Sequence, residues 1–265
     1  MDKKAILVVS FGTSYPEALR NNIERVEKRI EAQLTEYELR RAFTSEIIIR
    51  KLKKRDGVTV HTLQQALEAM KNEGFTQVVV QPLHVLPGSE YHEVKEAVEA
   101  CKRENAFEKI SLGEPLLYTQ EDYVKVVEAL KRQILPQKDR QAVVLMGHGT
   151  EHFSNACYYC LQSFMDRAGM NAWIATVEGL PELKDIIPAL KEKEVEQVTL
   201  MPFMLVAGDH AINDMAGEED SWKQVLREEG FEVEVYLHGL GENTAIQEIY
   251  TRKALQAEQE LKSCE

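Results

Sequence analysis

VVLMGHGTEHFSNACYYC, residues 143–160, decides the fold through its first half. A run of β-favouring residues passes straight into a histidine flanked by glycines, the pattern of a buried strand ending in a tight loop. An earlier stretch has the same form. VVSFGTS at 8–14 matches LMGHGTE at 145–151, pairing Phe11 with His148, Gly12 with Gly149 and Thr13 with Thr150. A second pair follows in the same order: QPLHVLPGSE at 81–90 matches MPFMLVAGDH at 201–210, pairing Pro82 with Pro202, Gly88 with Gly208 and Glu90 with His210. Motif pairs in one order, each at a strand end, indicate an internal duplication.

Outward from these motifs, near-continuous apolar runs predict strands at 5–10, 37–43, 77–85 and 110–117, and again at 142–147, 172–179, 197–206 and 231–239. Runs of this kind suit parallel strands covered by helices on both faces. Between them the spacing turns helical. Leu19, Ile23, Val26, Ile30 and Leu34 recur every three or four residues, with Ser14 and Pro16 as start signals. Tyr123, Val126, Leu130 and Ile134 repeat the stripe, and Ile246, Ile249 and Tyr250 begin another. Strands alternating with helices predict an α/β fold of two similar lobes, 1–138 and 139–265, each a four-stranded parallel sheet flanked by helices, with the ligand between them. The first half is the longer between its two motifs, and TSEIIIRKLKKRDG at 44–57 is its extra segment.

The 265-residue chain carries a net charge of −12, against non-specific nucleic-acid binding, which draws on clustered Lys and Arg. An acidic chain can still hold a locally basic pocket for an anionic small ligand. The N-terminal MDKKAILVVS places positive charge before an apolar run, but that run is too short for a signal peptide. No stretch approaches the length of a membrane span. The expectation is a cytoplasmic protein with reduced cysteines and no nucleic-acid or membrane partner, homo-oligomerisation being left open.

In open parallel sheets, ligands bind beyond the carboxyl ends of the strands. His148, Glu178, Asp209 and His210 fall at such ends. Two imidazoles and a carboxylate from separate strand ends form a ligand set for Zn, Co, Ni or Fe that leaves positions open for a substrate. Each has a plainer reading. His148 also suits a turn histidine, Glu178 a charge favouring the next helix N-terminus, and Asp209 an N-cap for a helix from 210. The neighbouring Cys157 and Cys160, with His148 and His152, suggest a zinc site by proximity in sequence. Against it, Phe153, Ala156, Cys157, Cys160, Leu161 and Phe164 trace one helix face, where a reduced thiol packs as a small hydrophobe. Cys101 reads the same way, Cys264 lies in the terminal tail, and His152 reads as a rim or surface residue. The glycine loops lack the dinucleotide and P-loop patterns, and there is no G-x-S-x-G elbow.

LVVSFGTSY, RAFTSEIIIRKLKKRDG, MGHGTEH, VEGLPE and, above all, LMPFMLVAGDHAINDMAGEEDSWK at 200–223 resemble a known family over essentially the whole chain. It is that of the anaerobic cobalt chelatases of cobalamin biosynthesis, the sirohydrochlorin cobaltochelatases, in the class II chelatase group that includes ferrochelatase. The resemblance implies ATP-independent insertion of Co2+ into sirohydrochlorin, an anionic tetrapyrrole, with cobalt as substrate metal and no organic cofactor. It assigns the catalytic and metal-binding roles to His148, Glu178 and His210, three residues the strand-end argument also selects. The duplication then makes 139–265 the catalytic lobe and 1–138 a macrocycle grip, where Phe11 packs on the ring. Ser10, Thr13, Gly88 and Ser89 bind its carboxylates, His84 and Glu90 line the cleft, and Arg41, Arg50 and nearby lysines offset substrate charge, a solvated basic helix face being their plainer reading. The rival readings are a chelatase for Fe2+ or Ni2+ on the same ring, and a non-catalytic tetrapyrrole or metal carrier.

Overall fold

Each expected strand forms; those expected at 5–10, 37–43 and 142–147 end as expected, and the other five stop short at the carboxyl end, where loops begin. The computed structural model describes residues 2–134 and 139–263. In the first sheet, β1 (Lys4–Ser10), β2 (Glu38–Phe43), β3 (His61–Thr62), β4 (Gln77–Pro82) and β5 (Lys109–Leu112) run parallel in the order β3-β2-β1-β4-β5. In the second, β6 (Gln141–Gly147), β7 (Ala172–Thr176), β8 (Gln197–Pro202) and β9 (Glu232–Val235) run parallel in the order β7-β6-β8-β9. The first sheet therefore has five strands, not the expected four. The extra strand, β3, has two residues, too few to carry a period-two signal.

The duplication is visible in the backbone. Val9 pairs with Pro82 as Met146 pairs with Pro202. Leu83 N donates to Val9 O at 2.7 Å, and Phe203 N to Met146 O at 2.7 Å. Helices Leu63–Asn72 and Leu183–Glu192 both open on a capping box, Thr62 with Gln65 and Glu182 with Asp185. Between β2 and the first of these helices stands the expected extra segment, the helix Glu46–Asp56, which has no counterpart in the second sheet's crossover.

The central strands are buried on both faces, as covered parallel strands must be. On one side of β6, Ala142, Val144 and Met146 pack with Ile186, Leu190 and Leu226, while Val143 and Leu145 are buried on the other. Burying each large side chain of this kind stabilises by about 1.5–3 kcal/mol. In the first sheet, Leu7, Val9, Val78 and Val80 pack against Leu67, Met70, Val94 and Val98. The open edge of β7 is sealed by a side chain: Gln162 donates Nε2–H to Ala172 O (3.0 Å) and accepts from Ile174 N (2.9 Å). That occupies backbone groups which otherwise template a further strand.

By contacts, the chain divides into two compact units. The first runs to Tyr118 and resumes at Gln247; the second is Thr119–Ile246. Division at 138/139 instead assigns the helix Gln120–Gln133 to the first half and the last helix to the second; residue 138 lies outside the described residues. In the second unit, Tyr123 of that helix stacks on Phe164 at 5.4 Å between centroids, and Asn243 Nδ2 donates to Ala129 O (3.1 Å). The last helix, Thr244–Ser263, serves the first unit. The Tyr250 hydroxyl, fully buried, donates to Leu83 O at 3.0 Å, and Lys253 Nζ meets Glu114 Oε2 at 3.1 Å. Among the described residues, no helix is long and apolar enough to cross a membrane.

Candidate metal centre

β6 ends at Gly147, paired with Thr176 of β7. The ladder then continues past both strands: Val177 N donates to Gly147 O (3.1 Å) and Glu178 N to His148 O (2.7 Å). His148 and Glu178 thus leave their strands side by side. Gly149 permits the close approach. Its φ is +86°, and a Cβ there would overlap the Glu178 carbonyl. Beneath the loop, the Tyr158 hydroxyl accepts from Gly149 N (3.2 Å); burial pushes its pKa up to about 12. Asn155 ties the two loops together, Oδ1 accepting from Thr150 N (3.1 Å) and Nδ2–H donating to Leu180 O (2.6 Å).

His210 arrives from the loop after β8, at the start of a π-helical turn, Ala211–Met215. Widened turns of this kind recur at functional sites. The His210 ring stands edge-on to that of His148, with centroids 4.8 Å apart and planes at 88°. One ligand atom each from His148, Glu178 and His210 lies within 4.8 Å of the other two. Among the described residues this is the one such group of three or more His, Cys, Asp or Glu side chains. His148 and His210 are partly exposed and Glu178 is exposed, so the group faces outward with room for an exchanging ligand.

Hydrogen bonding sets both imidazole tautomers. His148 Nδ1 lies 3.0 Å from Gly149 O, and a carbonyl can only accept, so Nδ1 carries the proton and Nε2 the lone pair. His210 Nδ1 lies 2.6 Å from Asp214 Oδ2, which fixes it in the same way. Partners of this kind orient metal-binding histidines, and their loss typically costs about 10–100-fold in affinity. Asp214→Ala should therefore weaken Co2+ binding by about 10–100-fold, read by direct titration of the metal. Unchanged affinity would remove Asp214 from the site.

Asp214 carries no strand-end signature; its sole sequence cue is the His-x-x-x-Asp spacing, which puts the pair one turn apart. Asp209 lies within the first turn, with Gly208 before it accepting from Ile212 N (3.0 Å), so it is not the cap expected. The helix after Glu178 takes its cap from Glu182.

The cysteine reading needs a correction. The helix Ala156–Arg167 buries Tyr158, Leu161 and Met165, a stripe rotated from the expected face, and Phe153 is 76% exposed. Tyr158 turns inward because its hydroxyl serves Gly149. Cys157 and Cys160 flank that stripe, partly buried. Burial pushes the Cys157 thiol up, against the thiolate a metal needs. Neither thiol belongs to the metal group, and Cys264 lies outside the described residues. His152 caps a short turn, its Nδ1 accepting from Ser154 N (3.2 Å).

In the first unit the same register selects Phe11, Ser45 and Glu90. Ser45 N donates to Phe11 O (3.3 Å) where Glu178 N donates to His148 O. Phe11 is 51% exposed. Ser10, the last residue of β1, and Thr13 are buried on either side of Phe11, and Thr13 Oγ1 accepts from Tyr15 N (3.2 Å). Gly88 precedes the helix Ser89–Arg103, and Ser89 is exposed at its start. The His84 side chain is buried, with Nε2 3.1 Å from Glu90 Oε2, which also accepts from Thr44 Oγ1 (3.2 Å). The sequence offers no reason to pair those residues.

Comparison with known proteins bears on this geometry. The chain is 42% identical over 256 residues to a sirohydrochlorin cobaltochelatase of Salmonella typhimurium, covering 96% of each. It is 34% identical to the sirohydrochlorin cobaltochelatase CbiKC of Nitratidesulfovibrio vulgaris, covering 94% of this chain and 89% of that one. The fold is similar to that of the sirohydrochlorin chelatase SirB from Bacillus subtilis subspecies spizizenii in complex with cobalt (TM-score 0.60, 16% identity, 99% and 98% coverage). Residues 4–259, which include every strand and all three converging side chains, match the family model described as cobalt chelatase (CbiK), and the chain belongs to that family.

Proposed function

We propose that this protein inserts Co2+ into sirohydrochlorin to give cobalt-sirohydrochlorin for cobalamin synthesis, without ATP and without an organic cofactor. The observation that carries the reading is the convergence of His148, Glu178 and His210 within 4.8 Å in a chain of the cobalt chelatase family. Cobalt is a substrate here, held by protein ligands and then passed to the four ring nitrogens. His210, held at Nδ1 by Asp214, is the fixed ligand. Glu178 neutralises part of the metal charge while the ion waits.

Insertion also releases two pyrrolic protons. Imidazole is the side chain that takes up and gives off protons around neutral pH. His148, whose Nδ1–H is held by Gly149 O, takes up one of the two at Nε2 as that atom gives up the metal to the ring, and the second passes to bulk water. The three ligands bring metal and ring nitrogens together in one bound complex, which replaces the entropy cost of an encounter in water. The first unit grips the macrocycle, chiefly through Phe11, and the second performs the chemistry.

Purified protein supplied with metal-free sirohydrochlorin and Co2+, with no nucleotide present, should convert many equivalents of ring, followed by absorbance. Conversion that stops at one equivalent would make the protein a carrier. Faster insertion of Fe2+ or Ni2+ under matched conditions would reassign the metal, which the ligand set itself does not discriminate.

A further inference from the structure

The helix Glu46–Asp56 is the inserted element of the first unit, and its side chains are distributed in an unusual way. It is anchored by one buried residue, Leu52, and by Arg55, which donates to Ser14 O at 2.6 Å and pairs with Asp56. Ile47, Arg50, Lys51 and Lys54 are exposed at i, i+3, i+4 and i+7, so they share one outward stripe. Ile47 is 69% exposed. Arg50 bonds to the Glu46 backbone carbonyl (3.3 Å), Lys51 lies over the Tyr15 ring (5.6 Å), and none of Arg50, Lys51 or Lys54 has a carboxylate partner among the described residues.

What distinguishes these three is their grouping: in a chain with 44 acidic and 32 basic residues, they lie together on one helix face with an exposed isoleucine. Of the helix's own carboxylates, Asp56 is engaged by Arg55 and Glu46 lies in the first turn, beside the stripe. The position is equally specific. Ser45, which caps the helix by accepting from Ile48 N (3.4 Å), occupies the register position of Glu178 and donates its own N–H to Phe11 O. The stripe therefore starts at the carboxyl end of the sheet, beside exposed Phe11, and passes Tyr15 on the same loop.

We infer that this stripe is the carboxylate-binding element for the substrate: Arg50, Lys51 and Lys54 hold carboxylates on the macrocycle's rim, and Ile47 packs on its edge. This rests on the proposed function for the identity of the ring and adds the residues that recognise its charge. The occupant is a polycarboxylate ring because charge complementarity and exposed apolar surface occur together at a sheet end. A membrane or a duplex extends its charge past the stripe and against the rest of a chain of net charge −12, which a small ring held at the stripe does not.

The test is equilibrium binding of metal-free sirohydrochlorin to the full-length chain, read by the ring's own fluorescence, so that no turnover is needed. The triple variant Arg50→Gln, Lys51→Gln, Lys54→Gln should raise Kd about tenfold, as expected from three exposed charge pairs, with the far-ultraviolet circular dichroism unchanged. The charge-preserving triple Arg50→Lys, Lys51→Arg, Lys54→Arg should bind like the parent. Parent affinity should fall with salt more steeply than that of the glutamine variant. Equal affinity of parent and glutamine variant, no ring binding by the parent, or stripe-dependent capture of phosphatidylglycerol vesicles or duplex DNA in place of the ring would each overturn the inference. Cobalt insertion measured in parallel keeps the two readings apart. Stripe-dependent ring binding without turnover defeats the activity alone, whereas turnover with equal affinities defeats the stripe alone.

Discussion

His210→Ala should lower the rate of Co2+ insertion at least ~100-fold, because removing a ligand costs more than removing the partner that orients it. The fold should survive. His210 is partly exposed, its ring bonds to the half-exposed Asp214, and neither side chain belongs to the core around Leu200 and Met215. Substitutions of this sort usually change stability by no more than about 0.5 kcal/mol. The measurement is steady-state insertion followed by absorbance, beside a thermal unfolding curve. His210→Ala with parental turnover would defeat the assignment of the metal to this group.

The second large effect is expected at Gly149. Alanine there meets two penalties. The left-handed φ of +86° costs a residue with a Cβ about 1–2 kcal/mol, and the new methyl overlaps the Glu178 carbonyl, which no change of rotamer can move. The total loss of stability should be about 2–4 kcal/mol, seen as a shift in the denaturation midpoint. Gly169 supplies the control. Its φ is +66°, but nothing lies within 4 Å of an added Cβ, so Gly169→Ala should cost only about 1 kcal/mol. Equal losses at both positions would show that the His148 and Glu178 loops are not held together through Gly149. Cobalt affinity should fall in the Gly149 variant and stay at the parental level in the Gly169 variant.

The sheets are legible in the sequence because buried parallel strands leave unbroken apolar runs, and because the motif pairs fall at their ends. The convergence of His148, Glu178 and His210 is legible for the same reason, since the carboxyl edge of such a sheet is where loops converge. Features that depend on geometry past the strand end are not. Ser45 and Glu178 share a register position, yet aligned on it TSEI and VEGL match at no position to reveal it. Asp214 matters through the turn that brings it to His210, and side-chain spacing does not report whether that turn is α or π. The helix after His148 misleads for a further reason. An apolar stripe through Cys157 and Cys160 looks like the inner face, but Tyr158 is drawn inward by a polar demand from Gly149. Nor does a linear repeat disclose the exchange of helices between units, because each crossover helix is compatible with either sheet.

That exchange imposes an order on the molecule's assembly. As the chain emerges from the ribosome, β1 to β5 are complete before the second sheet has begun, but the segment from Gln247, which belongs to the same unit, follows only after the whole of the second unit. Until then the Leu83 carbonyl has no Tyr250 hydroxyl, and Glu114 has no Lys253. The second unit, continuous from Thr119 to Ile246, has all its residues before the first unit does. The half that begins the chain is therefore the last to acquire its full native complement, and a nascent chain halted just short of Gln247 already holds His148, Glu178 and His210 in a complete second unit while its first unit is still unfinished.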